Sequence, residues 1–477
     1  MNAAPPPARE RWPFQVKYIL GNEAAERFSY YGMKGILALY ITNVLLMTKD
    51  QSTHIIHLFG FANYFMPLVG AWVSDRFLGR YKTILWISLS YCVGHGVMAL
   101  SDVTTTIDGK TMCLYIGLAL IAFGSGGIKP CVSAFMGDQF KPEQRHLLQK
   151  AYAAFYWSIN LGSTASFLII PWVARKHGYA WAFGIPGLAM AFATFVFWLG
   201  TKHYVMVPPA RTTRTAGFLQ VLSFTTAKFL KAWLNREQPR QPFWDAARTK
   251  FREDEIDAAR SVLPILSIFA LAPIFWSLFD QTFSTWILQG EQMVPYQLGD
   301  FTIGPEAMLT ANPILVMIFL PILTWGVYPM LGKWATPLRR MSAGMFLAGG
   351  SFIVVAMMQT RIDQEGAQLS VLWQIVPYII ITIAEVLFST TGLEFAFREA
   401  APSMKSTILG FWNLTVALGN LLVSVLTSVL AVGDSGSESV SAGRFMLYAA
   451  MTFGVAVVFA IVASFYKYRD PSAALGK

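Results

Sequence analysis

Apolar stretches of twenty residues or more recur along the chain, separated by polar gaps that are short in all but one place. An α-helix needs about 20 apolar residues to cross the hydrocarbon core of a bilayer. By that rule spans are expected at 18–47, 53–75, 81–101, 111–138, 149–174 and 179–204, and again at 261–289, 309–332, 339–360, 369–397, 404–432 and 442–466. The pattern is six, a gap, then six. It predicts an all-α membrane protein of about 12 transmembrane helices in two bundles, with residues 1–205 as the first, 206–260 as a linker and 261–477 as the second. Several spans exceed one bilayer thickness, so tilt or extension beyond the lipid is expected.

Pro208, Pro209, Pro239 and Pro242 break the linker, and its stretch from Trp244 to Arg260 mixes apolar residues with alternating charge. A short amphipathic helix on the membrane surface is expected there, beside the alternative of a solvated connection. Lys and Arg concentrate in alternate gaps: Arg9, Arg11 and Lys17; Arg76, Arg80 and Lys82; Lys141, Arg145 and Lys150; Lys333, Arg339 and Arg340; Lys467 and Arg469. The gaps between are poorer, apart from Arg175 and Lys176, so both termini are expected in the cytoplasm.

Composition agrees with the pattern. The 477 residues are 55% hydrophobic and 13% charged, where a soluble domain carries roughly 25% charged residues. The net charge of +10 is dispersed through the polar gaps, which is a topology signal and excludes a nucleic-acid-binding face. Three cysteines, Cys92, Cys113 and Cys131, have no framework spacing. The polar, Pro-rich start is not followed by a signal-peptide core, so the first apolar segment is expected to be a retained helix.

The informative residues are the charges inside the apolar runs. Glu23, Glu26, Arg27, Tyr30, Tyr31 and Lys34 fall at i, i+3, i+4, i+7, i+8 and i+11 of the first span, one face of an α-helix. An ionisable group at the bilayer centre costs on the order of 2.5–3.5 kcal/mol, so a stripe of four charges is expected to line an aqueous cavity. His57 and Tyr64, Lys129, Asn160, Asp280, Asn312 and Glu385 add polar groups at depth in other spans. Lys129 follows Gly124, Gly126 and Gly127 and precedes Pro130, where the helix is expected to loosen. Acids, bases and a histidine spread over both halves suit a charged or zwitterionic substrate together with a proton. No Ser-centred elbow or Cys–His pair occurs, and His54 and His57 have no third ligand nearby, the other histidines being read as near loops. No catalytic residue, metal or cofactor is therefore expected.

The run Gly70 to Arg80 (GAWVSDRFLGR) resembles the loop motif of the major facilitator superfamily between its second and third helices. Glu23 to Tyr31 (EAAERFSYY) resembles the ExxERFxYY motif of the proton-dependent oligopeptide transporter family. Gly126 to Pro130, Gly137 to Phe140, and Phe155 to Gly162 resemble further signatures of that family. The resemblance extends over the whole chain.

It implies a bacterial-type proton-coupled symporter of di- and tripeptides in the inner membrane, working by alternating access as a monomer, with lipid as solvent and H⁺ as the coupling ion. Carried over residue by residue, Arg27, Lys129, Tyr30, Tyr64 and Asn160 would take the peptide carboxylate, and Glu385 with Asn312 the amine. Tyr31, Trp276, Ser389 and Trp412 would line side-chain pockets. Glu23, Glu26, Arg27, His57, Lys129 and Asp280 would couple the proton, and Lys34 with Asp280 would form a gate salt bridge. Two departures stand out: Lys34 replaces an arginine common among bacterial members, losing the bidentate fork, and the linker is too polar for the two extra helices many of them carry. The alternative within the same fold is another small solute, such as nitrate or a drug-like organic ion; the carboxylate of Glu385 opposes a simple anion.

Overall fold

The computed structural model describes residues 12–209, 216–235, 242–299, 301–365, 369–433 and 438–468. Arg9, Arg11, Pro239 and Arg469, used above for topology and the linker, lie outside them. The helices of the first half are α1 (Val16–Asn43), α2 (Lys49–Val73), α3 (Gly79–Ala99), α4 (Ile107–Asp138), α5 (Leu148–His177) and α6 (Tyr179–Leu199). Next come α7 (Phe218–Leu234), α8 (Glu253–Phe269), α9 (Pro273–Phe279) and α10 (Thr285–Gly290). After a hairpin of β1 (Tyr296–Leu298) and β2 (Phe301–Ile303) follow α11 (Ala311–Pro321), α12 (Tyr328–Leu331), α13 (Pro337–Glu365), α14 (Ile375–Glu385), α15 (Thr391–Glu399), α16 (Lys405–Gly433) and α17 (Ala442–Phe465).

Among the described residues nine helices are long and apolar enough to cross a membrane, ten if the bent pair Glu253–Phe269 and Pro273–Phe283 is one span. The run Lys49–Asp102 counts there as one helix of 54 residues. At 1.5 Å per residue that is far longer than a bilayer is thick, and Gly79, at φ 74°, leaves the helical conformation and divides it. Helix α1, which carries Glu23, Glu26, Arg27 and Lys34, is not among the nine. Counting these as crossings recovers the twelve spans expected.

Three expectations are corrected. The helix of the linker is α7, upstream of Trp244–Arg260: it buries Phe218, Val221 and Thr225 and exposes Leu219, Trp233 and Leu234. Residues 243–249 form a 3-10 turn, and α8 starts at Glu253, its first turn acidic as a helix N-terminus favours. The seventh span is not one helix of 261–289: it bends by 46° at Pro273, where proline removes an amide donor, and breaks again at Ser284. Around Lys129 the reverse holds, since α4 runs unbroken through Gly127, Lys129 and Pro130. The hairpin, with Tyr296 opposite Ile303, was invisible in a sequence read as wholly helical.

The chain divides into two compact units, residues 1–45 with 66–211, and residues 46–65 with 212–477. The first half of α2 thus belongs to the second unit. In the first unit α1 packs on α5 and α6, and α3 on α4 and α6. Gly70 of α2 meets Gly127 of α4 so closely that a Cβ on Gly70 would lie 2.2 Å from the Gly127 carbonyl oxygen. Two of the family-like motifs meet at the end of this unit: Arg80 pairs with Asp138, while Gln139 donates Nε2 to the Val205 carbonyl and accepts the Val205 amide. In the second unit α13 packs on α14 and α17, and α16 on α9.

Candidate functional site

Helix α1 presents its charged stripe inward. Glu23 and Glu26 are 2% and 1% exposed, and Lys34 is equally buried. Arg27 Nε donates to Glu23 Oε1 at 2.7 Å and lies 3.1 Å from Glu26 Oε2, an ion pair without hydrogen-bond geometry. The other Glu26 oxygen accepts from Ser125 Oγ of α4 at 3.1 Å. One guanidinium thus holds two carboxylates, an arrangement bound to reorganise when either takes a proton. Lys129, one turn beyond Ser125, sits with its ammonium 4.4 Å from the centre of the Tyr30 ring, a cation–π distance. Its charge lies within electrostatic reach of Glu23, Glu26, Arg27 and Lys34. Tyr31 packs edge-on against Tyr30 and Phe167. Asn160 turns its Nδ2 to the Tyr156 carbonyl of its own helix rather than toward the charges.

Beneath this cluster lies a group that the sequence reading passed over. His95 is not near a loop: it is fully buried in α3, its Nε2 2.9 Å from Ser29 Oγ and its ring stacked on Tyr91. Its signal was a histidine in the middle of an apolar run, the criterion that had selected His57.

Two polar clusters of the second unit hold residues that the sequence singled out. Asn312 Nδ2 donates to Glu385 Oε2 at 2.8 Å and to Thr382 Oγ1 at 3.1 Å. Glu385 is the last residue of α14; the backbone then widens into a π turn over Val386–Thr390, which includes Ser389. Such turns disrupt the i→i−4 ladder and cluster at functional positions. Nearby, Trp276 and Trp412 meet at 5.9 Å between ring centres, nearly perpendicular, and Phe388 stacks on Trp412. At 7% and 6% exposure these tryptophans are walls of a packed aromatic cluster.

The other cluster is a chain of hydrogen bonds. Asn420 of α16 donates Nδ2 to Asp280 Oδ2 at 2.7 Å and to the Val416 carbonyl at 3.1 Å. Its Oδ1 faces His57 Nδ1 at 2.9 Å, and His57 Nε2 faces Ser284 Oγ at 2.8 Å. All four side chains are buried. Asn420 and Ser284 were missed because an isolated Asn or Ser in a span gives no signal until its partner is known. His54 is held separately by Ser424 and Ser428. Tyr64, half-buried on α2, belongs to this unit rather than to that of Arg27 and Lys129. Among the described residues no group of three or more His, Cys, Asp or Glu could hold a metal ion.

Charged groups held within apolar spans, in a largely helical chain carrying these motifs, narrow the family. The POT family profile matches residues 81–441. The chain belongs to the POT family. It is similar to rat solute carrier family 15 member 2, 37% identical over an alignment of 367 residues that covers 74% of this chain and 50% of that protein. The chain spans about half the length of the curated relatives it matches first. Among solved structures it resembles the auto-inhibited POT family peptide transporter, at 36% identity and a TM-score of 0.85 over 96% of this chain and 98% of that one. The POT family transporter PepTSo is similarly close, at 38% identity and a TM-score of 0.85 over 97% and 100%. The fold is therefore the major facilitator fold of POT transporters, and the chain is an integral membrane protein.

Proposed function

We propose that this POT family member is a proton-coupled symporter of di- and tripeptides working by alternating access, with the proton as coupling ion and no cofactor. The observation that carries the reading is the paired equipment of charge inside the apolar spans. A zwitterionic peptide offers a carboxylate and an ammonium. The first unit holds half-buried cations in Arg27 and Lys129, and the second a half-buried carboxylate in Glu385 oriented by Asn312. A relative named as a peptide transporter supports the substrate class.

In this reading Arg27 and Lys129, with Tyr30, Tyr64 and Asn160, take the peptide carboxylate. Glu385 and Asn312 take its amine, and Tyr31, Trp276, Ser389 and Trp412 shape the side-chain pockets. Protonation of Glu23 or Glu26 releases part of Arg27, and His57 gains a proton at Nε2 by turning the Ser284 hydroxyl. Lys34 and Asp280 form the gate salt bridge. Each protonation changes the free-energy difference between two conformations, and peptide binding biases the same equilibrium, which is the thermodynamic content of coupling. The protein works as a monomer in the bacterial inner membrane with both termini cytoplasmic, in keeping with the Lys and Arg distribution.

The test is uptake into proteoliposomes driven by an inward pH gradient, with labelled alanine di-, tri- and tetrapeptides and with nitrate or free alanine as competitors. Accumulation of the di- and tripeptide, abolished by a protonophore, is expected. Uptake indifferent to the gradient, or blocked by nitrate and not by unlabelled dipeptide, overturns the reading.

A further inference from the structure

The span Ala307–Trp334 is unusual in the second unit, with only 6% of its most apolar window buried inside the protein. It ends at Trp334, α13 begins at Pro337, and α17 ends at Phe465 on the same side. Between these ends lies a cavity of about 630 Å³. Lys333 and Arg339 line it, with the hydroxyl side chains of Thr336, Ser342 and Tyr468, and among the described residues its lining includes no acid. The Arg339 guanidinium sits 4.9 Å from the centre of the Trp334 ring, and that ring is 64% exposed.

Among the described residues the neighbouring acids Glu394 and Glu399 are already engaged. Glu394 is held by Arg340 at 3.4 Å and Arg398 at 3.1 Å, and Glu399 accepts from the Tyr466 hydroxyl at 3.1 Å. Arg340, which does not line the cavity, is further packed on Tyr328. The positive potential of Lys333 and Arg339 is therefore left to the cavity, and the N-terminal dipole of α13 adds to it. On the spans that end at the cavity Trp325, Met330, Leu331 and Phe465 are exposed apolar residues, the last at 80%. Cations and hydroxyls at the ends of three spans, an exposed tryptophan, and exposed apolar residues on those spans together match one chemistry: a phosphodiester joined to acyl chains.

We propose that this cavity binds the headgroup of an anionic phospholipid, with Lys333 and Arg339 contacting the phosphate and the acyl chains running along the exposed face of the Ala307–Trp334 span. The site is separate from the buried charges of the transport reading and stands whether or not that reading holds. A lipid bound there ties α13 to α17 at the interface and contributes to the stability of the second unit.

The full chain, purified in detergent, is titrated with phosphatidylglycerol or phosphatidylcholine and read by native mass spectrometry and by thermal melting. A phosphatidylglycerol adduct that raises the melting temperature is expected, with phosphatidylcholine much weaker. The double variant Lys333→Gln, Arg339→Gln should weaken phosphatidylglycerol at least about tenfold, given two surface cations lost, and leave phosphatidylcholine unchanged. Removing the same charge from α7 with Lys228→Gln, Lys231→Gln should have no such effect. Equal binding of the two lipids, or phosphatidylglycerol binding unchanged in the Lys333, Arg339 variant, overturns the proposal. A third arm adds glycerol 3-phosphate at a concentration equal to the lipid. Full displacement of the lipid would make this a site for small phosphates and overturn the lipid assignment, whereas persistence of the adduct supports it.

Discussion

The Nδ1 of His57 lies 2.9 Å from Oδ1 of Asn420, and the orientation of that amide decides which ring nitrogen carries the proton. Asn420 spends both its amide hydrogens on acceptors, the Asp280 carboxylate and the Val416 carbonyl. Its oxygen must therefore face His57, and Nδ1 must be the donor. Nε2 is left to accept from Ser284 Oγ in the neutral ring or to donate to it in the imidazolium. The Ser284 hydroxyl has a second, longer acceptor in the Gln281 carbonyl at 3.5 Å, so it can turn when the ring gains a proton.

Asn420→Leu is therefore expected to uncouple His57 from Asp280. Buried partners left unsatisfied cost about 1–3 kcal/mol each, so the melting temperature should fall by several degrees. Uptake driven by a pH gradient should drop at least tenfold while peptide counterflow changes by less than threefold. Equal loss of both activities would show that Asn420 serves the structure alone.

Glu26→Gln removes one of the two carboxylates on Arg27 and keeps the acceptor for Ser125. The variant is expected to fold, to retain counterflow and to lose most gradient-driven accumulation. Measuring both modes in the same proteoliposomes checks this. Normal uptake in both would remove Glu26 from the coupling groups.

At the second unit's carboxylate, Asn312→Ala should act through Glu385. Asn312 donates to both Thr382 and Glu385, so its loss frees the carboxylate to rotate without removing its charge. The KM for a dipeptide should rise about tenfold, the value of one charge-assisted hydrogen bond, whereas Glu385→Gln should raise it further. An N-acetylated dipeptide, with no ammonium to bind, should respond to neither change. Equal effects on both substrates would sink the assignment of Glu385 to the amine.

Gly70→Ala and Gly21→Ala form a contrasting pair. A Cβ on Gly70 would strike the Gly127 carbonyl, which is backbone and cannot move aside, while a Cβ on Gly21 meets nothing within 4 Å. The first should destabilise by about 1–3 kcal/mol or more through overpacking of α2 on α4. The second should be neutral or stabilise by about 0.5–1 kcal/mol, as alanine replaces glycine in a helix. Thermal melting of the two variants in detergent distinguishes them.

Where sequence reading failed, it failed on relations between distant positions. The spacing of Glu23, Glu26 and Arg27 within one helix foretold a shared face, and they are indeed paired there. The same logic could say nothing of Ser125 reaching Glu26 from α4, or of Asn420 reaching His57 and Asp280 across 363 and 140 positions. It also set His95 near a loop, because a histidine without a recognised motif around it attracts no attention. The linker helix was misplaced for a different reason. Alternating charge over Trp244–Arg260 looked amphipathic, whereas Phe218–Leu234 is apolar on two faces, one buried against its own unit and one exposed.

By itself the sequence determined the solvent, the number of crossings, the charged face of α1 and the family. These follow from local quantities: the length of apolar runs, the 3.6-residue period of a helix and short contiguous motifs. Only the tertiary structure decided which buried groups satisfy one another, where the seventh span bends, and that the ends of three spans enclose a basic cavity. A buried polar atom must find its partner wherever packing brings one within about 3 Å, and no periodicity along one helix encodes the face of another.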